Sequence, residues 1–349
     1  MKNRQLNKKT ILDIARLANA SPATVSRVLN PTGYPVSQQM RERVLEAARE
    51  LDYRPNIFSQ MLKGAKSKEI GIIIPSLANP YYSLLASDVA GRCVQSDYAP
   101  IICSSFGDKK LEERQLEILL RQQVAGILYS SIQDEPERLI RERESELLPP
   151  VVMFDQDGLT DRVSSVVFDF EKAGELMGRY LIENGHREIV FASGALDRGS
   201  RRQVLKGYRS ALEKAGLPLK KNMILESEPE DNQGSDFEKG NFLGEQILAM
   251  DHLPDAVFGI NDITAIGIMN RLREKGVRVP EDISVTGLDD IEMASMTIPG
   301  LTTIRQPVGR TGEAAMKLLL DSIENDQAKP QKVMIEPRLI IRGSVKRRI

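Results

Sequence analysis

Near its start the chain carries two short helix-like patterns only a few residues apart, and that spacing leaves few folds open. Thr10 precedes Ile11-Leu-Asp-Ile-Ala-Arg-Leu-Ala18, in which Ile11, Ile14, Ala15 and Ala18 recur at helical spacing. Asn19-Ala20 makes a tight turn. Ser21 then serves as a helix cap, with Pro22 at the first helical position, where its missing N–H is tolerated. The second pattern, residues 22–29, turns Val25, Val28 and Leu29 inward and leaves Ala23, Thr24, Ser26 and Arg27 near its exposed start. Two helices this short cannot bury a core alone. A third is expected over residues 38–51, capped by Ser37, with Met40, Val44, Leu45, Ala48 and Leu51 as its apolar stripe and Tyr53-Arg-Pro-Asn56 ending it. This is a three-helix bundle whose small second helix can enter the major groove of DNA. Small groups allow close approach to base edges, while Arg16, Arg27, Arg41 and Arg43 can hold phosphates.

Charge supports that reading. Residues 1–68 hold 13 Lys and Arg against 5 Asp and Glu, leaving 35 against 44 for the rest of a chain whose net charge is only −1. A small cationic unit on a larger anionic body implies a local polyanion contact. No apolar run approaches the ~18 residues of a membrane span, and Met1–Lys9 has no apolar stretch behind its charges. Cys93 and Cys103 are the only cysteines, so reduced thiols and a cytoplasmic location are expected.

The string Ile11-Leu-Asp-Ile-Ala-Arg-Leu-Ala-Asn-Ala-Ser-Pro-Ala-Thr-Val-Ser-Arg-Val-Leu-Asn30, continued by Arg43-Val44 and Leu51-Asp-Tyr-Arg-Pro-Asn56, resembles the headpiece of the lactose-repressor/galactose-repressor family. The resemblance implies that Pro22, Ala23 and Arg27 read bases, with Thr24 and Ser26 at the groove edge. Thr10, Ser21, Asn30, Tyr53, Asn56, Ser59 and Lys63 complete the expected DNA contacts. Residues 56–63 are helix-compatible but about two turns long, too short to be stable alone. In the resembled family this hinge folds on operator DNA beside its dimer mate and wedges a leucine into the minor groove. Leu62 occupies the matching position.

From Lys68 onward apolar runs alternate with helical stretches. The runs begin at Ile70, Ala99, Gly126, Val151, Ser165, Ile189, Ala256 and Ile283. The helical stretches span residues 82–95, 111–122, 172–184, 204–215 and 263–275. Such alternation means parallel sheets covered by helices on both faces. The expected fold is therefore an all-α helix-turn-helix headpiece plus an α/β two-lobed domain of two doubly wound parallel sheets. Its divisions are a headpiece (1–55), a hinge helix and linker (56–67), and an effector-binding and dimerisation domain (68–349). Within the last, the N-lobe takes about 68–168 and 304–332, and the C-lobe about 169–303 and 333–349.

Doubly wound sheets bind ligands beyond the carboxyl ends of their strands. The polar residues there are Ser76 to Tyr82, Asp155, Asp169, Gly194 to Arg202, Asn261-Asp262 and Asp289-Asp290, of which Asp262 and Asp290 also suit helix caps. Gly185-His-Arg-Glu-Ile189, Asn261-Asp-Ile-Thr-Ala-Ile-Gly267, Val279-Pro-Glu-Asp-Ile-Ser-Val285 and Pro299-Gly-Leu-Thr-Thr-Ile304 extend the resemblance to the family's regulatory domain, which is akin to periplasmic sugar-binding proteins. It implies effector contacts from Tyr81, Tyr82, Asp155, Asp169, Arg198, Ser200, Asn261 and Asp289. Val204 stands where that family usually has an effector-gripping arginine, and Ser235 falls nearest the place of its aromatic platform. Arg198, Arg201 and Arg202 can substitute and would favour an anionic or phosphorylated effector. A solvated basic loop is the alternative.

The function implied is a DNA-binding transcriptional regulator, a repressor working as a C2 dimer on a pseudo-palindromic operator under a small-molecule effector such as a sugar or phosphosugar. Control by a protein co-effector, or a solute-binding role, are the alternatives. No enzyme, cofactor, metal or membrane partner is expected. The only histidines are His186 and His252, and no nucleophile elbow, phosphate loop or metal-ligand spacing occurs. The last residues, Arg342 to Ile349, contain no leucine heptad to drive a tetramer.

Overall fold

The computed structural model describes residues 9–29, 34–53, 67–133, 148–154, 163–227, 234–325 and 327–348, and the chain divides into two compact units at Ser67/Lys68. The first unit contains α1 (Ile11–Leu17), α2 (Pro22–Leu29) and α3 (Gln38–Glu50). At the start of α1 the Thr10 N–H and hydroxyl both donate to Asp13 Oδ2 at 2.8 Å. These bonds hold the Asp13 carboxyl below its usual range and satisfy the helix start reciprocally. Asn19, in the left-handed region at φ 45°, makes the turn. Ser21 Oγ accepts the Thr24 N–H at 3.0 Å and starts α2. Ile14, Val25 and Val44 are fully buried at the centre of this bundle.

One expected core position is corrected. Leu45 is 39% exposed, and Ala47 and Ala48 carry the inward face of α3 beside Val44. Helical spacing is the reason: Val44, Ala47, Ala48 and Leu51 repeat every three or four residues, and Leu45 lies about 100° round the helix from Val44. Arg43 is also taken up structurally: its Nη2 donates to the Ala18 carbonyl at the end of α1.

The second unit runs β1 (Glu69–Ile74), α4 (Pro80–Gln95), β2 (Ala99–Ser104), α5 (Lys109–Arg121), β3 (Gly126–Tyr129), β4 (Val151–Phe154), β5 (Ser164–Phe168), α6 (Phe170–Glu183), β6 (Ile189–Ser193) and α7 (Gly199–Lys214). It continues through β7 (Ile224–Glu226), α8 (Asp236–Leu248), β8 (Ala256–Gly259), α9 (Asp262–Glu274), β9 (Ser284–Asp289), α10 (Glu292–Met296), β10 (Thr302–Arg305), α11 (Val308–Glu324), β11 (Lys332–Ile335) and β12 (Arg338–Ile340). One sheet has the order β11-β5-β4-β3-β1-β2, and the other β12-β10-β9-β8-β6-β7. All pairings are parallel except β12, which lies antiparallel to β10 and so departs from the expected all-parallel sheet. The strands are short, nearly continuous apolar runs because helices cover both faces.

The chain passes between lobes three times, after β5, after β10 and after β11. The first falls where the sequence breaks. The other two lie later than the expected boundaries: Ile304 and Arg305 stay in the second sheet, and Lys332–Ile335 pair with Ser165–Phe168 in the first. Backbone pairing, which hydropathy does not report, sets these limits.

Helices α6 and α7 pack backbone to backbone, which carries the start of α7 to the cleft between the lobes. A Cβ on Gly207 would strike the Glu171 carbonyl, and one on Gly174 would strike the Val204 carbonyl. We expect Gly207→Ala to separate the two helices and destabilise this unit by roughly 1–3 kcal/mol. Urea unfolding followed by circular dichroism checks it, and an unchanged midpoint would mean that the helix pair yields freely.

Candidate functional site

In the first unit, α2 presents Pro22, Ala23 and Arg27 to solvent, with Thr24 and Ser26 half-buried beside them. The Arg27 guanidinium lies 4.9 Å from the Tyr34 ring centroid, a cation–π contact that extends the side chain along the bundle surface. The Ser21 and Thr24 hydroxyls bond each other at 2.8 Å, and Thr10 is engaged by Asp13, so all three shape the helix starts. Tyr53 is half-buried against the bundle core. Asn30, Asn56, Ser59, Leu62 and Lys63 lie outside the described residues.

In the second unit a cavity of about 690 Å³ opens between the lobes at the carboxyl ends of their strands. Tyr81, Tyr82, Arg198, Ser200, Asn261 and Asp289 all line it. Asp169 does not. It sits at the first lobe crossing, where its Oδ1 accepts the Lys172 N–H at 2.8 Å and caps α6, while its neighbour Phe170 faces the cavity. Asp155 lies outside the described residues. Tyr81 and Tyr82 stand edge to face at 5.1 Å, and with Phe106 and Phe170 they supply the aromatic wall. Ser235 lines the cavity and begins α8 in a capping box with Glu238, while Phe237 lines a different groove.

Sequence reasoning did not single out Asp236, Lys239 or Gln306. Asp236 opens α8, and its Oδ2 accepts from two amides, Asn79 Nδ2 at 2.9 Å and Asn261 Nδ2 at 3.0 Å. Asn79 belongs to one lobe and Asn261 to the other, so one carboxylate oxygen joins the lobes. Each asparagine meanwhile uses its Oδ1 to cap a helix, α4 and α9 respectively. Gln306 follows β10, and the rule that found Asn261 would have found it. Its Nε2 donates to Asp289 Oδ1 at 2.7 Å, while its buried Oε1 has no partner among the described residues. Asp236 follows no described strand, so that rule passes over it.

Behind the cavity, Asp262 and Asp290 are not caps. Asp262 is fully buried and accepts from the Ile291 N–H at 2.9 Å and from the Thr303 hydroxyl. Asp290 pairs with Arg305 and Arg342, each at 2.5 Å. Arg202 is likewise turned away, donating to the Leu196 and Asp197 carbonyls. Neither histidine lines the cavity: His186 is buried between the Leu181 carbonyl and Ser284 Oγ, and His252 meets Glu188 at 2.7 Å. Among the described residues no helix is long and apolar enough to cross a membrane.

This combination of a helix-turn-helix bundle and a two-lobed α/β body with a polar interlobe cavity defines a DNA-binding regulator class. Residues 10–56 match the family of bacterial regulatory proteins, lacI family, and residues 178–345 match the periplasmic binding protein-like domain. The HTH-type transcriptional repressor PurR of Vibrio parahaemolyticus is 33% identical over 340 residues, spanning 97% of this chain and 99% of the relative. A structure of the lac repressor dimer bound to operator and the anti-inducer ONPF superposes with a TM-score of 0.81 at 28% identity, covering 97% of this chain and all of that one. A complex of the transcriptional regulator CelR with cellobiose gives 0.70 at 27% identity, covering 96% and 99%. The chain belongs to the LacI/GalR family of transcriptional regulators, and its relatives are repressors rather than enzymes.

Burial pushes the Asp262 carboxyl up to about 7, against the lowering effect of its bonds from Thr303 and Ile291. A raised folded-state value means that the acid's contribution to stability is present below its ordinary 3.8 and is lost as pH climbs through about 7. Asp262→Asn keeps both hydrogen bonds, with its amide donating to Thr303, and cannot ionise. Urea midpoints measured across that window should fall with pH in the parent relative to the variant. Parallel curves would show that Asp262 ionises as readily folded as unfolded.

Proposed function

We propose that this protein represses transcription by reading a pseudo-palindromic operator as a homodimer, and that a small molecule in the interlobe cavity sets its affinity for DNA. One observation carries the reading: a single chain joins a lacI-family headpiece to a body whose cavity gathers Tyr81, Tyr82, Arg198, Ser200, Asn261 and Asp289. Pro22 and Ala23 allow the backbone of α2 to approach base edges, and Arg27 supplies a forked donor for guanine or phosphate. Leu62 is assigned the wedge at the centre of the operator, by resemblance. Two-fold operators require two headpieces about one helical turn or a multiple of it apart, hence a C2 dimer. The lac repressor structure, a dimer on operator, supports that assembly.

The body offers a face for it. Phe237, Met296 and Ile298 line an open groove and are 37%, 63% and 96% exposed, an unusual concentration of apolar surface. Arg273, Arg278 and Glu281 rim it with both signs of charge, as a self-complementary patch requires. Lobe closure on a ligand then alters the geometry of the paired bodies, and the two sites are linked by a coupling of typically ~1–3 kcal/mol.

Three measurements test this. A thermal-shift screen of metabolites, followed by operator binding with each hit, identifies the effector and the sign of its action. Arg27→Ala should weaken operator binding by about 1–3 kcal/mol in fluorescence anisotropy; unchanged affinity removes Arg27 from the reading. Ile298→Asp should give a monomer in sedimentation and weaken operator binding by roughly 100-fold or more, because the second half-site contact is lost. A stable dimer in that variant would place the interface elsewhere.

A further inference from the structure

We infer that the effector carries an oxyanion, a phosphate monoester or a carboxylate, seated in the cavity by Arg198, Arg201 and Lys239. This rests on the reading of the cavity as an effector site and adds the chemical class of what fills it.

Arg201 and Val204 both line the cavity, three residues apart on one face of α7. Val204 is apolar and 1% exposed, and the cation on this face of the helix, Arg201, stands one turn nearer its start. The Arg201 side chain is only 14% exposed, although it carries a full charge. Its guanidinium lies over Gly194, where a Cβ would crowd it, and Nη1 donates to the Ala195 carbonyl at 2.7 Å. Its ion-pair partner among the described residues is Asp197, 3.7 Å away and half exposed, and the nearby charge of Asp236 offsets its burial only in part.

Arg198 adds a second guanidinium. It reaches across to Gly107 of the other lobe, with Nη2 3.6 Å from where a Cβ would stand, and its guanidinium makes no hydrogen bond or ion pair with another described residue. Glu112, the buried acid of that lobe whose titration senses Arg198, is already saturated by Tyr129, Ser131 and the Ile132 N–H. Lys239 closes the group from the first turn of α8. Three acids share the wall: Asp236 accepts from Asn79 and Asn261, Asp289 from Gln306, and Glu238 from Ser235, while the charge of Asp236 also steadies Arg201 and Lys239. Desolvation first, and then the charge of Arg198, bring Arg201 down to about 10; Lys239 is lowered by desolvation first and by both arginines, against the charge of Asp236.

Three cations are thus gathered at one cavity, two of them forked donors suited to bidentate oxyanion contact. Their like charges bear on one another, and a phosphate or carboxylate oxygen set can contact all three.

The test uses the full-length chain in thermal shift and titration calorimetry. Inorganic phosphate at tens of millimolar should raise the melting temperature above a sodium chloride control of equal ionic strength. Glucose 6-phosphate and gluconate, compared with glucose, separate a phosphate monoester from a carboxylate. At least one should bind about tenfold tighter than glucose. Arg201→Met and Lys239→Gln should each remove that preference. Arg201→Met without ligand should melt at or above the parent, because a desolvated charge is gone; a clear loss there would make Arg201 a structural residue and overturn the assignment. No response to any of the anions also overturns it. If a neutral metabolite then binds and alters operator affinity, the effector reading survives without the oxyanion. If anions bind through Arg201 but no bound compound changes operator affinity, the oxyanion site stands and the proposed regulation falls.

Discussion

One carboxylate oxygen, Asp236 Oδ2, receives an amide from each lobe, and the shape of the cavity depends on it. Three chain crossings also join the lobes, and crossings of this kind permit hinging. Hydrogen bonds to a charged acceptor are each worth about 1.5–3 kcal/mol, enough to bias such a hinge without locking it. Both donors are also helix caps, so movement of either asparagine disturbs the start of α4 or α9. The hold on the cleft and the organisation of its walls are therefore one arrangement.

The wall opposite Asp236 is held from behind by a polar framework buried in the second lobe. Asp262 takes the Ile291 N–H, and Asp290 is clasped by Arg305 and Arg342. Between them the loop keeps Asp289 at φ 127° and Asp290 at φ 59°, conformations that non-glycine residues adopt only when their surroundings impose them. The last described residues complete the framework: Ser344 Oγ donates to the Val285 carbonyl and accepts the Thr302 N–H, and Arg348 pairs with Asp255. Asp289 can thus face a ligand because charges and caps behind it fix its backbone.

The headpiece achieves rigidity by a different route. Its core is small, and its helix starts are set by side chains next to them in sequence: Thr10 with Asp13, and Ser21 with Thr24. With capping, turn and stripe all pointing to one arrangement, α2 offers Pro22, Ala23 and Arg27 outward without support from distant parts of the chain.

That difference explains what was legible in the sequence alone. The helix-turn-helix unit, the alternation of strands and helices, and the residues just beyond the strand ends are written in local patterns, because caps, periodicity and strand termini are short-range properties. Tyr81, Arg198, Ser200, Asn261 and Asp289 could therefore be named before any fold was seen. What needed the tertiary structure joins residues far apart. The bridge from Asn79 to Asp236 spans 157 positions, and the pairing of β11 with β5 moves a lobe boundary. The same holds for Asp169, which looks like a pocket residue by position yet caps α6, and for Arg201, for which a pocket position and a solvated basic loop are both open from sequence and which lies in the cavity wall. Burial and charge pairing are sums over neighbours from the whole chain, and only the folded arrangement brings those neighbours together.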